Sequence, residues 1–111
     1  MTDYVQVWTT TDTREGADTL ARSTIEARLA ACAQIDGPIT SVYWWDGAAQ
    51  TEQEWRIAFK TAADRYAALE AHILANHSYD TPEIVAAPIT HGSAAYLAWL
   101  TAETRSGSEG T

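Results

Sequence analysis

"SVYWWDGAAQTEQEWRIAF", Ser41 to Phe59, is the stretch on which the fold turns. Side chains along a strand alternate faces, so Tyr43 and Trp45 point one way and Trp44 the other. Further on, Trp55, Ile57 and Phe59 fall on one face, with Glu54, Arg56 and Lys60 on the opposite one. Asp46-Gly47 is a turn signal between two strands, and the connection from there to Glu52 can exceed two residues. A small domain with helices over one sheet face hides only one aromatic set. The other needs a cover.

Working outward, "DYVQVWTTT" (Asp3–Thr11) alternates and is rich in β-branched residues, which reads as a first strand. Asp12 and Glu15 then have the spacing of a capping box. Ala17, Leu20, Ala21, Ile25, Leu29 and Cys32 recur at helical spacing, predicting a helix from Arg14 to Ala31. The second strand is expected from Ala33 to Trp45, interrupted at Gly37-Pro38 because proline donates nothing to a ladder. The third runs over 52–61. A second helix follows over 62–76, with Tyr66, Leu69, Ile73 and Leu74 inward. "IVAAPIT" (Ile84–Thr90) is a short fourth strand that Pro88 places at an edge or strand end. "HGSAAYLAWLTAE" (His91–Glu103) makes a final helix, and residues 104–111 have the composition of a flexible tail.

The order βαββαβ plus a helix predicts an α+β, ferredoxin-like sandwich: an antiparallel sheet with both main helices on one face. The single domain spans 1–103. A bare second face and open strand edges are association surfaces, and another copy of the chain is the expected cover.

Composition narrows the function. One lysine and six arginines stand against fifteen acids, for a net charge of −8. Such a chain offers no phosphate-tracking surface, so nucleic acid is not an expected partner. With no leader-like opening and no long apolar run, neither export nor a membrane partner is expected. The lone Cys32 excludes an internal disulfide and fits a reducing, cytoplasmic setting. Nucleophile elbow, phosphate loop and HExxH patterns are missing, so catalysis is not expected.

"RLAAC" (Arg28–Cys32), "ITSVYWWDG" (Ile39–Gly47), "EWRIAFKT" (Glu54–Thr61), "HSYDTPEIVAAPI" (His77–Ile89) and "YLAWL" (Tyr96–Leu100) occur in the order of the CutA family. Over nearly its whole length the sequence resembles these divalent-cation tolerance proteins. The resemblance implies a homotrimer of ferredoxin-like subunits, joined through sheet edges and hairpin aromatics. It also implies an architecture like that of PII-type signalling trimers, which bind ligands between subunits. The family's motif positions fall here on Cys32, Lys60, His77, Tyr79 and Glu83 and on the aromatics Tyr43, Trp44, Trp45 and Trp55. Ser78 and Asp80 depart from the family's usual proline and glutamate.

Three residues are candidate metal ligands: Cys32, His77 and Glu83. A thiolate suits Cu(I) or Zn, whereas imidazole with carboxylate suits Cu(II) or Zn, so copper or another divalent cation is the expected cofactor. Each has a plainer role too, Cys32 as the end of an apolar stripe and His77 as support for a loop. The rival reading is a PII-like regulatory trimer holding a small anionic ligand between subunits. Tyr43, Trp45, Trp55, Lys60, Tyr79 and Glu83 would then line the cleft. A third reading is a trimer that anchors a partner.

Overall fold

The computed structural model describes residues 3–105. Its elements are β1 (Tyr4–Thr11), α1 (Arg14–Glu26), β2 (Cys32–Trp45), β3 (Ala48–Ala62), a 3₁₀ turn (Ala63–Arg65), α2 (Tyr66–Asn76), β4 (Val85–Pro88) and α3 (Ala94–Glu103). The sheet order is β2-β3-β1-β4, with every neighbouring pair antiparallel. That is the split βαβ order expected from the sequence. The expected tail lies mostly outside the described residues. Of its first two residues, Thr104 is fully buried and Arg105 grips Asp64 at 2.8 and 2.9 Å.

The strand register puts Val7 opposite Phe59 and Thr9 opposite Ile57, with Ala33 and Ile35 beyond them on β2. All share the face covered by α1 and α2. There they meet Leu20, Leu29, Leu69 and Ile73, and Val7, Ile57, Phe59, Leu69 and Ile73 are wholly shielded from water. Alternation alone therefore assigned this face correctly. Leu74, expected inward, is instead 53% exposed. It follows Ile73 directly, and the 100° step around the helix carries it off the side on which Leu69 and Ile73 are buried.

Helix α1 ends five residues before the expected Ala31. Arg28 takes a left-handed φ of 59°. The Arg28 amide donates to Ile25 O and the Leu29 amide to Thr24 O, at 2.9 and 3.1 Å. These are the two bonds of a Schellman stop, made here on an arginine rather than a glycine. At the other end the cap is Thr13 and not Asp12. Thr13 Oγ1 accepts from the Gly16 amide at 2.9 Å, so the cap falls one residue later than expected and, with glycine third after it, is a single cap rather than a capping box.

The hairpin is the fold's largest departure from expectation. β3 begins at Ala48 rather than Glu52, so the turn holds just Asp46 and Gly47, both at positive φ (56° and 77°). That is a two-residue primed turn. β2 and β3 run 14 and 15 residues, whereas β1 has 8 and pairs no further along β3 than Trp55. From Ile39 to Glu54 the hairpin is thus a two-stranded arm projecting from the sheet. The register shifts between Asp36 and Ile39, where the arm begins. Gly37, at φ 151°, leaves no room for a side chain there, since an added Cβ would sit 2.7 Å from Trp55 Cδ1.

The exposed Tyr43, Trp44 and Trp45 therefore belong to the arm and not to a bare sheet face. The second sheet face carries Gln6, Trp8, Gln34, Ala58 and Lys60, and α3 packs over one end of it. Tyr4 meets Thr101 at 2.6 Å between hydroxyls, and Leu100 is fully buried.

Candidate functional site

Where the arm leaves the sheet, a cavity of about 560 Å³ opens beside it. Ser41, Val42, Tyr43 and Trp45 of β2 form one wall and Glu54 of β3 another. Thr10 lies on the β1 side, and Tyr79, Asp80, Thr81 and Glu83 of the loop between α2 and β4 complete the lining. Three carboxylates face this space, and no lysine or arginine is among its lining residues.

Hydrogen bonds fix the loop wall. His77 Nε2 donates to the Thr10 carbonyl at 2.7 Å, because a carbonyl oxygen can only accept. Its Nδ1 accepts from the Tyr79 amide at 3.0 Å. The ring is thereby the neutral Nε2–H tautomer with both nitrogens in use. It also lies 4.8 Å, centroid to centroid, from the Tyr79 ring. Tyr79 in turn donates its hydroxyl to Glu54 Oε2 at 2.7 Å. Burial, and then the bond to Glu54, push the Tyr79 phenol well above the ordinary tyrosine range. Desolvation, with Glu52 and Glu54 nearby, raises Tyr43 too.

The three candidate metal ligands are not brought together within the subunit. Cys32 is half-buried on the second sheet face, paired in register with Lys60, and Tyr96 of α3 lies beside its thiol. Glu83 is exposed at the cavity. His77 offers no free lone pair, since anchoring the loop occupies both nitrogens. Among the described residues no three His, Cys, Asp or Glu side chains converge to hold a metal ion.

Of the expected cleft residues, Tyr43, Trp45, Tyr79 and Glu83 do line one space. Trp55 and Lys60 do not. Trp55 lies on the helix-covered face, under the Gly37 bulge. Lys60 donates to Gln34 Oε1 at 2.6 Å on the second sheet face, away from Glu83. Sequence reasoning missed Glu54, which alternation placed on a polar strand face and the structure leaves only 8% exposed. A signal was present. Gly37-Pro38 marks where the arm departs, and Glu54, opposite Ile39, is the next β3 residue beyond that point.

Residues 5–103 match the model of the CutA1 divalent ion tolerance protein family. A divalent-cation tolerance protein CutA from Thermus thermophilus is 41% identical over 91 residues, covering 82% of this chain and 88% of the relative. Protein CutA 1, chloroplastic, from Oryza sativa subsp. japonica is 44% identical over 101 residues. These cover 91% of this chain, which spans only 57% of the rice protein's length. The crystal structure of CutA1 from Oryza sativa superposes with a TM-score of 0.91 at 42% identity, covering 94% of this chain and 95% of that one. The chain belongs to the CutA1 divalent ion tolerance family.

Proposed function

We propose that this protein works as a homotrimer that binds divalent cations, copper among them, in a cytoplasmic metal-tolerance role. The observation that carries the reading is the charge of the cleft: Glu54, Asp80 and Glu83 line it without a base, on a chain of net charge −8. Asp80 and Glu83, both exposed at the cavity, are the first donors to a cation there. Carboxylate oxygens suit a wide range of divalent ions, and copper binds most tightly at mixed sites. One subunit supplies too few donors for a tight site, so a neighbouring chain completes the set.

Trimerisation is supported by the arm. Trp44 is 74% exposed, Val42 68% and Trp45 60%, an apolar load that a two-stranded ribbon cannot bury by itself. The rival anionic ligand finds no lysine or arginine among the residues lining the cleft of one subunit, since Lys60 bonds Gln34 elsewhere.

Calorimetric titration of Cu(II) into metal-free protein tests the reading, with wild type beside the Asp80→Asn, Glu83→Gln double variant. Binding of defined stoichiometry, lost in the variant, is expected. Equal binding by both proteins would mean that the acidic surface merely collects cations and that this cleft is not the site.

A further inference from the structure

We propose that the inner end of the cleft is a binding site for an aliphatic di- or polyamine. The inference goes beyond the metal reading, for it needs neither a metal nor a third donor. It starts from Glu54, whose side chain lines the cavity although the residue is more than nine-tenths buried. Tyr79 holds Oε2, and among the described residues no donor reaches Oε1. Oε1 therefore opens onto the cavity without a protein donor, where a cation that donates hydrogen bonds can complete it.

The surroundings select the kind of cation. A volume near 560 Å³ exceeds what a bare ion fills and falls within the range for small organic ligands. Tyr43 and Trp45 present aromatic surface, which attracts ammonium groups and packs against methylene chains. Asp80 and Glu83 supply negative charge for a second ammonium. An ammonium on Glu54 Oε1, an alkyl chain along the aromatic wall and a second ammonium at the outer carboxylates use every one of these features. Tyr79 supports the arrangement, because its hydroxyl donates to Oε2 and so leaves Oε1 for the ammonium.

Spermidine, titrated into the full-length protein with a metal chelator present and followed by tryptophan fluorescence and calorimetry, tests the site. Saturable binding at one site per chain is expected, weakened about tenfold or more by Glu54→Gln, since a charge-assisted bond to the carboxylate is lost. Tyr43→Leu alters an exposed wall and leaves the fold intact, and it is expected to weaken binding several-fold. In a repeat on metal-free protein without chelator, magnesium at equal charge concentration is expected not to displace the amine. Unchanged affinity in both variants, or full displacement by magnesium, would overturn the proposal. The chelator keeps this result separate from the Cu(II) titration, so either reading can fail alone.

Discussion

The two halves of one hairpin obey the same alternation and meet opposite fates. In the inner half, Ile57 and Phe59 are wholly buried, because β1 lies alongside and two helices lie above. In the outer half, Trp44 and Trp45 are among the most exposed large side chains described, because the ribbon has run past β1 and the helices. Residue chemistry does not separate the halves. What separates them is how far the neighbouring elements reach, so aromatic residues on a strand report a need for burial without saying which element meets it.

The largest break in that comparison comes from removing one aromatic from each half. Phe59→Ala is expected to cost the subunit about 3–5 kcal/mol in chemical denaturation, the usual price of emptying a packed core site. Replacing Trp44 and Trp45 together by Ala opens no cavity within the subunit. Its expected effect is on association: a lower mass in sedimentation, and a melting temperature that rises with protein concentration. Core-like destabilisation of isolated subunits by the Trp pair would show that the arm packs on its own body.

A smaller effect sharpens the boundary between the halves, where Tyr79 clamps Glu54. Tyr79→Phe leaves a buried carboxylate without its donor and is expected to cost about 1–3 kcal/mol. It also changes the alkaline limb. The native phenol's pKa is raised, so the stability it contributes is complete below the unfolded value of about 10 and is lost as pH climbs above it. Wild type should therefore lose stability more steeply than Tyr79→Phe above that pH. Parallel curves would mean that the clamp is not formed in solution.

The smallest effect lies far from the arm. Arg105 holds the exposed Asp64 carboxyl below its ordinary range, chiefly by its hydrogen bonds. A depressed acid stabilises above its unfolded pKa and loses that contribution as pH falls through the lower folded value. Asp64→Asn should thus flatten the acid limb slightly, as expected for an ion pair on the surface. A change as large as that of Tyr79→Phe would place Arg105 in a more critical position than its exposure indicates.

Much of this was legible because it is local and periodic. The βαββαβ order, the Phe59 face and the edge position of Pro88 follow from alternation, helical spacing and proline's missing donor. The stop of α1 was not legible, since Arg28 takes a left-handed turn that a glycine would have announced. Glu54 was hidden for a different reason. Its burial depends on Tyr79 reaching across from another loop, a contact that no spacing along the strand encodes. His77 was legible as support for its loop, but its partner was not, because the Thr10 carbonyl that accepts from it lies 67 positions away in the chain.

The arm's role as the element that joins subunits is tested most directly by sedimentation equilibrium at micromolar concentration. The account predicts a mass three times the 12.1 kDa of one chain, reduced when Trp44 and Trp45 are both replaced by Ala. A wild-type mass equal to that of one chain would contradict it.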